Sequence, residues 1–437
     1  MTNNNANETS KDERSMSEYP REYASVEDAR RQLLDVSPVL DVEEIDLRDA
    51  LGRVLAEDAV SDIDVAPFDH SAMDGFAVRT LDLAKATEAD PVELGVIAHI
   101  GAGDHLERAI ESVTTARIMT GAAVPAGADS VIKIEDSCTV SGEGGIGSII
   151  SFTAPAISGK NIRRRGKEVA AGQIALHAGE ILGPAGIGLL SATGHPTVQV
   201  YRRPRVAVVS TGSELVDAHT VPGPGQIRNS NSYSLGAQII AAGGIPIDYP
   251  GIEDTYEATK EALTRAAQEC DFVVTSGGVS GGDFDFVKPV LEDIGTPYHC
   301  KVNMRPGRPQ TMGVIKETPF FGLPGNPTSS YVGFEMFVRP ALRKMQGHTE
   351  LTRPVIHARI THDAKKHQDR RYFLRGTVRR GDGGDLECTV EGDQSSALLR
   401  SVHEGNAFIV LPEGFSPVPA GTEVDCIRLD VDEGVEL

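Results

Sequence analysis

The segment TSGGVSGGDFDFVK (275–288) holds four glycines and two aspartates between an apolar run, DFVV, and a helix-like stretch, FVKPVLEDIG. Glycines at the end of a buried strand let the backbone approach an anion and turn its N–H groups inward, which suits a phosphate or a carboxylate. Aspartates repel such an anion unless a divalent cation lies between them. Ser276, Gly277, Gly278 and Ser280 are therefore candidate substrate contacts, and Asp285 a candidate metal ligand. The plainer reading is a strand-to-helix turn with Asp283 or Asp285 as its cap. Pro289 is tolerated best in a first helical turn, so a helix is expected to start within 283–288.

Other strand ends carry matching chemistry. STGSEL (210–215) follows PRVAVVS and offers Glu214, while GIED (251–254) closes IPIDYPGI and offers Asp254. Either could be a surface acid, but with Asp285 they form a candidate divalent-cation site. KVNMRPGRP (301–309) brings Lys301, Arg305 and Arg308 into a loop stiffened by proline and glycine. Cations held this way suit phosphate or another oxyanion; a solvated basic loop is the alternative. GLPGNP (322–327), with Pro324 and Pro327, reads as a turn in which Asn326 caps a helix, with its N-terminus turned toward an anion.

Elsewhere the signals are weaker. FDHSAMDGFAV (68–78), with Asp69 and Asp74, reads as a turn, and IMTGAAVPAGAD (118–129) as a hairpin turn with Thr120 as a hydroxyl contact. NIRRRGKE (161–168) reads as a solvated charged face. The chain has no HExxH pattern and no GxxxxGK[ST] phosphate loop. A rim of acids and cations points instead to phosphoryl or metal-assisted chemistry.

The elements that must hold these loops follow from periodicity. SVEDARRQLLDV opens with a capping-box pattern at Ser25 and Asp28 and places Val26, Ala29 and Leu33 on one helical face. Short glycine-broken strands over 91–151 suggest a small β-rich domain, and a helix is expected near 185–192. From Pro204 strands and helices alternate, which predicts a parallel, doubly wound α/β sheet with ligands at the carboxyl ends of its strands. After Gly347 the helices stop and a run of strands predicts a small C-terminal β domain.

At 437 residues the chain is expected to form several domains. A net charge of -21, no tryptophan and few aromatics argue against nucleic acid as a partner. No apolar run approaches the length needed to span a bilayer. The five cysteines stand far apart without a CxxC pair, which fits a reducing cytoplasm, and the first twenty residues read as a disordered tail without a secretory signal.

FDHSAMDGFAVR, IMTGAAVPAGADSVI, NIRRRGKE, STGSEL, TSGGVSGGDFDFVK, MRPGRP and GLPGNP, in this order, resemble the molybdopterin molybdenumtransferase family, which is related to the C-terminal domain of gephyrin. The resemblance implies an elongated, L-shaped subunit of α/β and β domains. Its parts would be a disordered tail (1–20), an extended linking domain (21–60 and 166–203), an inserted β domain (61–165), a molybdopterin-binding α/β domain (204–348) and a C-terminal β barrel (349–437). It also implies a cytoplasmic homodimer, with each active site completed by the partner's inserted domain. Such enzymes take adenylylated molybdopterin, split its phosphoanhydride with Mg²⁺, insert molybdate into the dithiolene and release AMP.

Carried over by motif, the family's functional acids fall on Asp74, Glu214, Asp254 and Asp285, and its hydroxyl on Thr120. Glu168 takes the acid of the arginine motif, and Lys301, Arg305 and Arg308 take the basic positions. RYFLRG places an arginine at Arg375, and GDQSSA a serine at Ser396. The family often has lysine at 305 and 308 and TGDEL for TGSEL, which leaves a tungstate-preferring paralogue open. A non-catalytic pterin-binding scaffold of the same fold is a second possibility. A third is the adenylyltransferase that makes the substrate, which would not require FDHSAMDGFA; that enzyme is also a candidate partner.

Overall fold

The computed structural model describes residues 23–279, 285–414 and 416–435; the tail expected at 1–20, Ser280 and Asp283 lie outside the described residues. The chain divides into two compact units, Val42–Tyr201 and the remainder.

In Val42–Tyr201 the expected β-rich domain is a six-stranded sheet in the order Ser130–Lys133, Gly75–Val78, Thr114–Ile118, Val92–Ile100, Ile149–Phe152, Cys138–Ser141. Alternation sends Phe76 and Val78 to one face and Ala77 to the other. A register shift between Val96 and Ala98 moves the long strand from the first face to the second, so Leu94 and Val96 pack with Phe76 while Ala98 and Ile100 pack opposite. The segment 119–129 is not the hairpin turn the sequence suggested. Thr114–Ile118 and Ser130–Lys133 flank Gly75–Val78 on opposite sides and run parallel to each other, so their link must return from the Gly75 end of that strand to the Val78 end. Gly75 lets Ser130–Lys133 approach closely, because a Cβ there would collide with the Ile132 carbonyl. A second small core gathers Leu55, Leu182, Leu190 and Val200 beneath the Pro184–Ala192 helix and the paired strands Val42–Asp46 and Thr197–Tyr201.

In the other unit the central sheet runs Ile245–Ile252, Arg205–Thr211, Phe272–Ser276, Thr318–Leu323, Pro309–Ile315, Thr296–Lys301. It is doubly wound. Val206, Val208, Phe272, Val274 and Phe321 face the Val26–Val36 and Ser230–Ala241 helices and the long helix after GLPGNP. Ala207, Val209, Val273 and Phe320 face Tyr256–Glu269 and Val287–Ile294. Each such large apolar side chain, once buried, contributes about 1.5–3 kcal/mol.

The sheet is mixed rather than wholly parallel, which corrects the sequence expectation. Pro309–Ile315 runs against both neighbours. Only Lys316 and Glu317 separate it from Thr318–Leu323, and a link that short can only reverse the chain. Because that one strand is reversed, Thr296–Lys301 regains the common direction, and Lys301 ends on the same rim as Thr211 and Ser276.

Ser25 caps its helix as expected, accepting from the Asp28 N–H at 3.0 Å. The helix after GLPGNP is continuous in three parts: Pro327–Gly333, a wider π turn over Phe334–Val338, and Arg339–Met345. Pro340 has no N–H to give and its ring crowds the preceding turn, which the wide turn accommodates.

The C-terminal strands Arg371–Arg380, Leu386–Val390, Val355–Ile360, Glu423–Arg428 and Ala407–Leu411 close on themselves, because the first also pairs with the last. This is the β barrel, filled by Ile356, Ile360, Leu374, Cys388, Ile409 and Cys426. Met304–Arg305 adds to its Arg371–Arg380 strand and so ties the basic loop to the barrel. Helices do not stop at Gly347 as expected: Arg400–Glu404 forms one turn with Ser401 and Val402 buried, too short to leave a periodic signal. Among the described residues no helix is long and apolar enough to cross a membrane.

Candidate functional site

The carboxyl ends of Arg205–Thr211, Phe272–Ser276 and Thr318–Leu323 border a cavity of about 630 Å³. Chains leaving the first two of these strands turn to opposite faces of the sheet, which opens a crevice between them. Glu214, Asp254, Asp285, Ser276, Gly277, Gly278, Pro324 and Pro327 all line it, so the structure brings together loops distant in sequence. Asp254 is tied to the first loop, its Oδ2 accepting from the Ser213 N–H at 2.7 Å. The Glu214 carboxylate folds over Gly212, where a Cβ would lie 2.7 Å from Oε2.

Gly277 and Gly278 take successive φ values of 94° and 70°, left-handed conformations that side chains oppose. At Gly278 a Cβ would also lie 2.6 Å from Val287 Cγ2. The glycines therefore leave bare backbone at the cavity wall. Asp285 does not cap the following helix, whose N-cap is Phe286. Asn326 occupies the N-cap position of Pro327–Gly333, but its side chain makes no capping bond, contrary to expectation.

Sequence reasoning missed Asn231, which is 8% exposed. Its Nδ2 donates to Ser276 Oγ at 2.7 Å and to the Gly325 carbonyl at 2.8 Å, joining the start of the Ser230–Ala241 helix, the end of the Phe272–Ser276 strand and the GLPGNP turn. Its Oδ1 has no partner among the described residues. The segment RNSNSY carries nothing locally that separates Asn231 from its polar neighbours.

A second cavity, of about 320 Å³, shares Pro309, Pro324 and Asn326 with the first and is lined by Arg305, Arg308 and Ser396. Arg370 joins them and was also missed. Burial, and then the Arg308 and Arg305 charges, push its guanidinium below the usual arginine range. Tyr372 organises this side: Arg305 lies 5.2 Å from its ring centroid and donates to its hydroxyl at 3.3 Å. Tyr23 supports Arg308 at 4.2 Å and Lys301 at 5.8 Å. Lys301 lines neither cavity.

Arg375 is 1% exposed. Burial pushes its pKa down to about 10, with Asp393 opposing and Arg305 adding to the shift. Nη2 donates to the Ser395 carbonyl at 3.0 Å and Nε to Ser401 Oγ at 3.1 Å, which holds the loop bearing Ser396.

Within Val42–Tyr201, Asp74 and Thr120 form a pair. Asp74 Oδ1 accepts from the Thr120 N–H at 2.7 Å and from its hydroxyl at 2.8 Å, and these bonds hold the exposed carboxyl below its usual range. Glu168 stands apart from that pair, lining a cavity of about 380 Å³ with His70, Arg163, Arg164 and Lys167. Arg164 pairs with Asp69 at 2.6 Å and Arg165 pairs with Asp64, so the arginine run is partly neutralised.

No group of three or more His, Cys, Asp or Glu side chains among the described residues is close enough to cage a metal ion. Mg²⁺ is usually held by one or two carboxylates, with water and substrate phosphates completing its shell. Carboxylates bordering a cavity beside bare backbone fit that mode.

Residues 24–194 match the MoeA N-terminal region (domain I and II), 207–344 a probable molybdopterin binding domain, and 357–429 the MoeA C-terminal region (domain IV). The chain is 36% identical over 412 residues to the molybdopterin molybdenumtransferase of Bacillus subtilis, covering 94% of this chain and 95% of that one. It is 37% identical over 407 residues to molybdopterin molybdenumtransferase 2 of Mycobacterium tuberculosis, covering 92% and 98%. The crystal structure of the molybdopterin biosynthesis MoeA protein from Pyrococcus horikoshii is similar with a TM-score of 0.80 and 33% identity, covering 94% of this chain and all of that one. With three family regions matched in order and 94% of its length aligned to a relative 36% identical, this chain belongs to the molybdopterin molybdenumtransferase family.

Proposed function

We propose that this protein is a cytoplasmic molybdopterin molybdenumtransferase that takes adenylylated molybdopterin and molybdate and releases AMP. What supports the reading most is one adjacency: acids and bare glycine backbone around one cavity, adjoining a second cavity lined by arginines. Gly277 and Gly278 would seat the phosphoanhydride against their backbone. Glu214, Asp254 and Asp285 would hold Mg²⁺, which when bound neutralises charge developing on the anhydride oxygens. Arg305, Arg308 and Ser396 would hold molybdate beside the dithiolene, with Arg375 fixing the serine loop and Lys301 adding positive charge. Asn231 would keep the phosphate wall rigid.

The test is turnover of adenylylated molybdopterin by the purified chain with Mg²⁺, comparing molybdate, tungstate and neither. AMP release and metal incorporation are expected to rise together with molybdate and to stop when Mg²⁺ is chelated. Pterin bound and never turned over would overturn the reading in favour of a scaffold of the same fold.

We further propose a homodimer in which the Asp74–Thr120 pair of one subunit serves the site of the other. Mixing Asp74→Ala and Asp285→Ala subunits should then restore about a quarter of wild-type activity, because half of randomly assorted dimers keep one intact site. Inactive dimers shown to be mixed would count against the shared arrangement.

A further inference from the structure

Arg305 is an exposed side chain. A long exposed arginine ordinarily samples many rotamers, so closing its guanidinium on an anion costs conformational entropy. The neighbouring barrel strand removes that freedom here. Met304–Arg305 pairs in parallel with Arg371–Arg380 and sets Arg305 opposite Tyr372, so the two side chains are cross-strand neighbours. The Tyr372 ring centroid lies 5.2 Å from the Arg305 guanidinium carbon, and the hydroxyl accepts from Arg305 Nη1 at 3.3 Å. Stacking and the hydrogen bond together fix both the plane and the rotation of the fork.

Tyr372 is itself held. It is 3% exposed, and its hydroxyl also accepts from the His367 N–H at 3.2 Å. Lys366 Nζ, which donates to the Pro412 carbonyl, lies 5.3 Å from the same ring centroid. A guanidinium has more N–H donors than the contact with Tyr372 uses, so Arg305 keeps donors for a ligand. Those donors have space to work in: Arg305 borders the arginine-lined cavity and an adjoining one of about 270 Å³, and Pro306 and Gln394 border both as well.

We propose that Tyr372 is a positioning residue for the oxyanion: its ring and hydroxyl pre-set the Arg305 fork, and this sets the affinity for molybdate. The inference rests on the proposed function, in which Arg305 holds molybdate. Tyr372 acts on the anion only through the guanidinium it orients. A fork already fixed in direction loses little further entropy when the anion arrives, so more of each hydrogen bond appears as affinity. A lysine at 305 would have no fork to orient, and the hydroxyl would then contribute little. Its bond to the His367 N–H, by contrast, supports the barrel whichever residue stands at 305.

The experiment is calorimetric titration of the full chain with sodium molybdate in Mg²⁺ buffer. Tyr372→Phe keeps the ring and should weaken molybdate binding about fivefold. Tyr372→Leu loses the ring face as well and should weaken it about twentyfold; the phenylalanine variant decides alone if the leucine variant does not fold. In turnover, the KM for molybdate should rise in step while the KM for adenylylated molybdopterin stays at its wild-type value. A double-mutant cycle separates positioning from support of the barrel. In an Arg305→Lys background, adding Tyr372→Phe should cost less than about twofold. The same loss in both backgrounds would mean that the hydroxyl works through His367, and overturns the inference; wild-type affinity in Tyr372→Phe overturns it too. Arg305→Ala tests the underlying reading separately. If it abolishes molybdate binding while Tyr372→Phe binds like wild type, the role of Arg305 stands and the positioning falls. If molybdate binds Arg305→Ala as it binds wild type, or does not bind wild type, both fall.

Discussion

Asp285→Ala is expected to leave the chain folded and to lower AMP release at least about a hundredfold. The fold should survive because the following helix has Phe286, not Asp285, at its N-cap and is anchored by buried Val287, Val290 and Leu291. Activity should fall because the anhydride carries several negative charges that bare glycine backbone alone cannot balance. A carboxylate that fixes a counter-ion opposite them acts where charge develops, and removing one such electrostatic group typically costs about 10²–10³ in rate. Single-turnover AMP release, with circular dichroism and thermal melting as fold controls, measures both halves. Release at the wild-type rate would take Asp285 out of the mechanism.

The rim was legible because its chemistry is written in short stretches. A buried strand followed by glycines and an acid announces its own position, and three such stretches fall on one edge by sequence alone. The family likeness rested on the same stretches. Pairing was not legible. Nothing within Pro309–Ile315 says that it runs against its neighbours; the two-residue link after it does, through the geometry of chain reversal. The strand Gly75–Val78 separates two strands that are consecutive in the chain, so a link that reads as a hairpin turn becomes a crossing.

Side-chain roles fixed by distant partners were hidden for the same reason. Asn231 matters because Ser276 and Gly325 arrive beside it from elsewhere, and Arg370 because Arg305 and Arg308 do. Asp285 and Asn326 illustrate the opposite error: the N-cap expected at Asp285 falls on Phe286, and Asn326 holds the N-cap position without a side-chain capping bond. Residue type limits what a position can do, while the surrounding loops decide which of those things it does.

Glu433→Ala is expected to destabilise the unit holding the central sheet by about 3–5 kcal/mol, although it lies far along the chain from the rim. Glu433 is 7% exposed and meets Arg339 through Oε1 at 2.5 Å and Oε2 at 3.0 Å, with Arg343 at 3.3 Å. Glu335 supplies the second acid, bonded to Arg353 at 2.9 Å and to Gln238 at 2.8 Å. Three guanidiniums and two carboxylates thus share one buried cluster, and removing Glu433 leaves Arg339 and Arg343 together with a single anion between them. The uncompensated charge, more than the lost bonds, sets the magnitude.

The consequence reaches the site because Arg339 and Arg343 lie on the continuous helix whose first residue, Pro327, lines the acid-bordered cavity. Acid should act through the same cluster. Burial, reinforced by Arg343, depresses His348 to about 4, so below its unfolded value near 6.5 the unfolded chain takes up a proton that the folded chain refuses. Stability is therefore expected to fall as pH drops from about 6.5 toward 4. Burial alone would raise the Glu433 carboxyl, but its bond to Arg339 and the Arg339 and Arg343 charges outweigh that and lower it. Its contribution is present above the unfolded carboxylate value and is lost as pH falls through the lower folded one. Urea midpoints across this range for wild type, Glu433→Ala and His348→Gln separate the two groups. His348→Gln should flatten the first decline and keep the second, while Glu433→Ala should lower the midpoint even at neutral pH. A wild-type midpoint at neutral pH in Glu433→Ala would mean that the arginines find water when their partner is gone, and that the cluster does not hold the helix in place.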